Sequence, residues 1–354
     1  MMIKKSCFQE SWIRRKGKEF NADPILVERV IYAFELLGLL IKSDIELVFK
    51  GGTSLILTVP GFKRLSIDLD VVIETDNETL KNIFANITNG EPFKRWEEDK
   101  RTQTKKIPKG HFKFYYDSPI LGQELYVLLD ILQSKFHFAS IIKKPILHSI
   151  FEVDEEIEVM VPSINSLAGD KLTAFAPRTI GILYDTGKSM EIIKQMFDLG
   201  ILFEHISNIR EIHDSYLEIA EMESQYRRID KPVDVFLEDS IETAFLLCQS
   251  GFRGSVGNDN TAELKDGIRR IKSHVFGGKY SMLQAKADAS KVACLASLVR
   301  NERLNVDIVS LRKGRDDLKL IKEVNLEDEH AILNKLKRIS PESFYLWAIV
   351  CGLI

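Results

Sequence analysis

The sequence predicts an α/β domain over residues 1–160 followed by a mostly helical domain over residues 161–354, hinged near Val161-Pro162. Two observations predict this. Up to about residue 160, apolar runs of strand length alternate with stretches of helical periodicity. From Ser163 onward the helical period dominates to the end. The length also suits about two domains of ~150 residues each.

The elements follow in order. A helix is expected from Pro24 to Ile41, with Asp23 as cap and Pro24 in its first turn. Leu26, Val30, Phe34, Leu37 and Ile41 form its apolar stripe. The run 46-ELVFK-50 reads as a strand cut off by Gly51-Gly52, and Thr53 to Leu57 as a short helix ended by Pro60-Gly61. A strand is expected over 66-SIDLDVVIE-74, then a helix capped by Asp76 and running to about Ile87. The polar stretch 89–106 reads as loop or irregular edge. The segment 111-HFKFYYD-117 alternates like a strand, and 124-ELYVLLDIL-132 is apolar enough for a central strand covered on both faces. In the second domain Ser163, Ser189 and Ser340 are candidate caps, with Pro341 at the first helical position. The run 344-FYLWAIV-350 predicts a buried final helix rather than a lipidated tail at Cys351.

Composition is ordinary for a globular protein, at 45% hydrophobic and 29% charged residues. A formal net charge of -3 does not announce a nucleic-acid binder, and it leaves room for local basic surfaces. Cys7, Cys248, Cys294 and Cys351 are scattered and read as free thiols in a reducing cytoplasm. The N-terminus is polar, and no apolar run approaches the ~20 residues that span a bilayer, so neither a signal peptide nor a membrane anchor is expected.

The chemistry is concentrated in 49-FKGGTSLILTVPGFKRLSIDLDVVIE-74. Gly51 and Gly52 let backbone amides approach a phosphate closely. The helix behind them adds N-terminal donors, and Thr53 and Ser54 add hydroxyls. On a strand, Ser66, Asp68 and Asp70 would share one face. Two neighbouring carboxylates repel unless a cation joins them, and Mg²⁺ (or Mn²⁺) typically uses one or two carboxylates with substrate phosphates. Asp130, set in an otherwise apolar strand, is the candidate third carboxylate of a two-metal site. Each signal has a plainer reading alone: the glycines a turn, Asp-x-Asp a wet strand face, Asp130 a strand-end residue. In this order they indicate phosphoryl or nucleotidyl transfer. The seven histidines form no cluster at zinc spacing, and His111 and His137 read as structural.

The runs Lys50-Gly51-Gly52-Thr53-Ser54-Leu55 and Arg64-Leu65-Ser66-Ile67-Asp68-Leu69-Asp70 resemble two motifs of the AbiEii/AbiGii toxin family, which includes the MenT-type toxins. That family lies in the DNA polymerase β-like nucleotidyltransferase superfamily. The resemblance extends to 171-KLTAFAPR-178 and 194-KQMFDL-199, and covers roughly residues 24–205. It implies an α+β nucleotidyltransferase domain with a mixed sheet, Mg²⁺ or Mn²⁺ on Asp68, Asp70 and Asp130, and an NTP substrate. It also implies that Lys171 contacts the nucleotide phosphates, that Asp198 is functional, and that Gln195 replaces a customary acid. The implied role is that of a toxin paired with a cognate antitoxin, transferring nucleotides to RNA, with tRNA 3′ ends the leading acceptor.

The residues themselves agree in part. Lys171, Ala174 and Arg178 fall on one helical face, a cationic wall for a triphosphate, unless Pro177 ends or kinks the helix before Arg178. A solvated basic face would show the same spacing. Lys194 and Asp198 stand four apart and in isolation read as a surface ion pair, but the apolar neighbours Ile192, Ile193, Met196 and Phe197 argue for at least partial burial. The tail carries basic runs, 226-YRRIDK-231, 269-RRIKSH-274 and 311-LRKGR-315, offset by the acidic runs 152–158 and 326–331. The rival readings are a nucleotidyltransferase acting on antibiotic-like small molecules and an inactive nucleotide-binding module. Intact Ser66, Asp68, Asp70 and Lys171 speak against the latter.

Overall fold

The structure, a computed structural model, describes residues 1–62, 64–99, 108–276, 279–312 and 320–354. Its contacts gather into two units. An α/β unit comprises residues 1–137, 141–163 and 273–279, and a helical unit comprises residues 138–140, 164–272 and 280–354.

The α/β unit is built on a seven-stranded mixed sheet. Its strands are β1 (Leu47–Lys50), β2 (Leu69–Ile73), β3 (Arg95–Glu98), β4 (Lys109–Asp117), β5 (Glu124–Gln133), β6 (Ile141–Pro145) and β7 (Glu158–Pro162), in the order β3-β4-β5-β2-β1-β7-β6. β1 runs antiparallel to β2 and parallel to β7, and β2 runs parallel to β5. Helix α1 (Glu10–Phe20) precedes α2 (Pro24–Ile41), where the Asp23 carboxylate accepts from the Ile25 amide as expected of a cap. α2 is buried nearly all round rather than along one stripe, and its Phe34 packs against Phe49 and Phe151. Glu35, fully buried in α2, accepts from the amides of Met2 and Ile3, so the chain start satisfies a carboxylate that would otherwise be costly to bury. Helix α3 (Gly51–Thr58) follows β1 directly. Helix α4 (Asn77–Thr88) is capped by Asp76, and its Phe84 meets Trp96, Phe112 and Phe114 edge-on.

Three local expectations are corrected. Within the polar stretch 89–106, residues 95–98 form edge strand β3; residues 100–106 lie outside the described residues. Arg95–Glu98 carry long side chains that suit an edge ladder, which the apolar-run criterion misses. β2 starts at Leu69, so Asp68 precedes the strand instead of lying on it. β5 is fully covered on one face and only partly on the other: Val127, Leu129 and Ile131 are buried, whereas on the opposite face Leu132 is buried but Leu128 and Asp130 are half-exposed.

The helical unit contains α5 (Ile164–Ala174), α6 (Ser189–Leu202), α7 (Ile209–Arg227), α8 (Val233–Gln249), α9 (Asp259–Ile271), α10 (Met282–Arg300), α11 (Leu336–Ile339) and α12 (Pro341–Val350). Gly169 brings α5 close to α7, since a Cβ there would stand 2.8 Å from the Ile212 carbonyl oxygen. Ser189 is not a cap; it is the first residue of α6, and its hydroxyl donates to Asp266 at 2.8 Å. Pro341 opens α12, which is buried from Ser343 to Ile349. No helix of the described residues is long and apolar enough to cross a membrane.

Candidate active site

β1 feeds straight into α3, and the turn between them is made by glycine. Gly51 has φ of +75°, a left-handed conformation that costs an L-residue about 1–2 kcal/mol. Space matters more. A Cβ on Gly51 would lie 2.0 Å from Asp70 Oδ2, and one on Gly52 would lie 2.5 Å from Arg64 Nη2 and 3.0 Å from Ser66 Oγ. A carboxylate, a guanidinium and a hydroxyl thus press directly on the glycine backbone at the start of α3. Arg64 is buried, an unusual state for a guanidinium. Thr53 and Ser54 are fully buried, and their hydroxyls donate within the chain, to the Asp68 carbonyl at 2.5 Å and the Gly51 carbonyl at 2.9 Å. The Thr53 hydroxyl fastens the turn to the approach of β2, and the Ser54 hydroxyl closes the turn on itself.

The strand register lines up four polar residues across the sheet. Lys50 of β1 pairs with Asp70 of β2, Asp70 with Asp130 of β5, and Asp130 with His111 of β4. Paired residues on adjacent strands project to the same face, about 5 Å apart. Two neighbouring carboxylates are therefore flanked by an ammonium on one side and an imidazole on the other. The Asp130–His111 contact is direct, Oδ1 to Nδ1 at 2.7 Å, with both side chains mostly covered. This supplies the partner that an acid in an apolar strand requires. His111 is thus part of the polar row rather than a mere strand flank.

Among the described residues, no three acid, imidazole or thiolate groups stand close enough to hold an ion by themselves. Adjacent carboxylates plus phosphate oxygens are nevertheless the oxygen set that Mg²⁺ accepts. The residues fit an ion whose coordination a nucleotide completes.

In the helical unit, Lys171 of α5 and Asp198 of α6 form a buried ion pair, Nζ to Oδ2 at 3.0 Å, with side-chain exposures of 5% and 0%. Gln195 Oε1 accepts from the same ammonium at 3.0 Å. Asp198 is thus no surface residue, and Gln195 serves the cluster as a neutral acceptor. Arg178 does not share the face of Lys171, because α5 ends at Ala174. Its exposed side chain pairs with Glu242, and its amide donates to Asp239 at 2.8 Å. The basic runs of the tail are largely engaged. Arg269 and Arg270 pair with Asp266, Arg227 pairs with Glu223, and Arg312 donates to the carbonyls of Phe203 and Ile206. Residues 313–315 of the third run lie outside the described residues.

Three residues of this polar arrangement were not singled out in the sequence. Lys50 and Arg64 lie inside the quoted motifs, but reading them as ligand or phosphate groups requires knowing what the glycines face. His111 had no signal at all, because its partner is nineteen positions away on another strand.

Comparisons with known proteins bear on this geometry. The family described as nucleotidyl transferase AbiEii toxin, type IV toxin–antitoxin system, matches residues 39–274, two thirds of the chain. No curated protein matches. Among solved structures, JHP933 from Helicobacter pylori is similar at 15% identity and a TM-score of 0.44, covering 78% of this chain and 93% of its own. An antigenic nucleotidyltransferase-like protein from Paracoccidioides brasiliensis is similar at 14% identity and a TM-score of 0.37, covering 57% and 89%. At such scores the assignment rests on the sequence match, which spans the glycine turn, the Asp70–Asp130 row and the Lys171–Asp198 pair. The chain belongs to the AbiEii family of nucleotidyltransferase toxins of type IV toxin–antitoxin systems.

Proposed function

We propose that the chain is a divalent-metal-dependent toxin that transfers nucleotides from an NTP to RNA, with tRNA 3′ ends as acceptor. The observation that carries this reading is Asp70 lying against the Gly51 backbone, where even a methyl group would not fit. It sets a carboxylate for a cation beside the amides of a helix N-terminus for a phosphate. Asp68, Asp70 and Asp130 would hold Mg²⁺ or Mn²⁺, which when bound supplies charge neutralisation and an activated acceptor hydroxyl.

The chain's own groups do the rest. Gly51, Gly52 and the first turn of α3 bind phosphate oxygens, with Arg64 as a fixed positive charge behind them and Ser66 beside it. His111 orients Asp130. Lys171, held by Asp198 and Gln195, is assigned to the triphosphate on the strength of the family motif, and Arg178 to the nucleotide on the same ground. The family also implies an antitoxin as partner.

A small-molecule acceptor is the second reading. It is favoured by a cavity of about 580 Å³ in the helical unit, whose walls include Glu238, Glu242, Glu327, Asp328 and Glu329 against Arg178 and Arg300. Such a wall suits a cationic molecule. One experiment separates the two. Wild-type protein with labelled NTP, Mg²⁺ and total RNA should label short RNA at the 3′ end, and chelator should abolish it. Expression should slow bacterial growth, and Asp68→Ala should be harmless at equal protein level. Full toxicity of Asp68→Ala would remove transfer as the cause, and labelling of a small hydroxylated compound instead of RNA would select the second reading.

A further inference from the structure

We infer that a groove in the α/β unit seats single-stranded RNA upstream of the reacting end and holds its bases by stacking. The groove encloses about 480 Å³ and is walled by Phe20, Phe62, Phe276, His148 and Lys144 with the residues that end α3. Its rings are already arranged for stacking. Phe20 lies 5.5 Å from Phe276 and 6.0 Å from His148, centroid to centroid, with planes only 35° and 32° apart. Phe20, Phe276 and His148 are half-buried, so part of each ring reaches solvent. Burial pushes the His148 imidazole below its ordinary value, and its Nδ1 accepts from the Ile150 amide at 3.2 Å. The ring is therefore neutral, with its proton on Nε2: a flat, uncharged stacking surface.

Charge completes the match. Lys144 stands half-exposed on edge strand β6. Helix α1, which ends at Phe20, carries Arg14, Arg15, Lys16 and Lys18 against Glu10 and Glu19. Arg14 pairs with Glu10 and Lys16 with Glu19, while Arg15 and Lys18 are exposed to solvent. Aromatic faces beside cations, here Lys144 in the groove wall and Lys16 with its ammonium 5.9 Å from the Phe20 ring centroid, are what unpaired nucleic acid needs, since bases stack and phosphates seek positive charge. The position suits the chemistry too. The groove lies at the C-terminal end of α3, and the glycine turn lies at its N-terminal end, one helix length of roughly 12 Å away. The cationic runs of the helical unit offer less, because most of their described members already hold acids or carbonyls.

This inference rests on RNA being the acceptor, and the test keeps the two apart. The probe is a single-stranded RNA with 2-aminopurine placed in turn at each of its last few positions. With the full-length chain, fluorescence should be quenched at one or two positions just upstream of the 3′ end. Phe276→Ala should raise the Kd for RNA about tenfold, as expected for one lost stack, and Phe276→Trp should restore it. Lys144→Ser, on an exposed edge and safe for folding, should lower the slope of log K against log salt by about 0.7. NTP affinity should not change in any of these variants. Unaltered Kd, quenching and salt slope in the variants, with RNA still labelled by the wild type, would overturn the groove and leave the RNA reading standing. A wild type that neither binds nor labels RNA would overturn both.

Discussion

Gly51→Ala compared with Gly122→Ala separates close approach from backbone strain. Both glycines lie in the α/β unit and both are left-handed, at φ of +75° and +64°. Both substitutions should therefore cost about 1–2 kcal/mol from conformation alone. Around Gly122 nothing lies within 4 Å of the added methyl, whereas at Gly51 it meets Asp70 Oδ2 at 2.0 Å. Ordinary contact begins at 3.4 Å, so the Asp70 carboxylate or the α3 backbone must shift by roughly 1.5 Å. Overpacking of that kind costs a further ~1–3 kcal/mol. A displacement near 1 Å at a reacting group costs on the order of 10²-fold in rate. Urea unfolding should thus show the larger loss for Gly51→Ala, and NTP-dependent transfer should fall about 10²-fold or more. Gly122→Ala should keep near-normal transfer. Equal stability loss in both variants with equal activity would refute the claim that this glycine exists to admit Asp70.

In the helical unit, Lys171→Met should destabilise by about 3–5 kcal/mol, because it takes an ammonium away from the fully buried Asp198 carboxylate. Adding Asp198→Asn should recover most of that stability but none of the transfer activity, measured by unfolding and by labelled-NTP assay; recovered activity would make the pair purely structural. Asp288, half-buried on α10, has its carboxyl pushed up to about 7 by desolvation, and it accepts from the Tyr280 hydroxyl at 2.6 Å. Its folded-state value lies above the unfolded one. The stabilising effect of the bound proton is therefore full below about pH 4 and is lost as pH rises through about 7, on the order of 4 kcal/mol in all. Asp288→Asn should flatten that part of the stability curve. Unfolding at pH 5 and pH 8 that shows the same wild-type-minus-variant difference at both would exclude the burial effect.

The element order of the α/β unit was legible because it is written in local chemistry. Asp23-Pro24 announces α2, Asp76 announces α4, and the glycine pair announces the end of β1, each through the backbone conformations those residues allow or the amides they cap. The candidate site was half legible for the same reason. Gly51, Gly52, Asp70 and Asp130 are recognisable by residue type and spacing, and Lys171 and Asp198 by likeness to a family motif. Where the reading failed, the deciding partner was remote in sequence. The length of β2 depends on pairing with β1 and β5, so Asp68 fell outside it. His111 gained its place beside Asp130 only when β4 was laid beside β5 in one particular register, and a slip of one residue would have turned it to the other face. Arg178 left the face of Lys171 because α5 stops at Ala174 and the following turn is tied to Asp239 on α8. Capping, turns and periodicity are short-range and survive in the sequence alone. Register, burial and the pairing of charges are set by segments that meet only when the chain is packed, and those are what the tertiary structure decided.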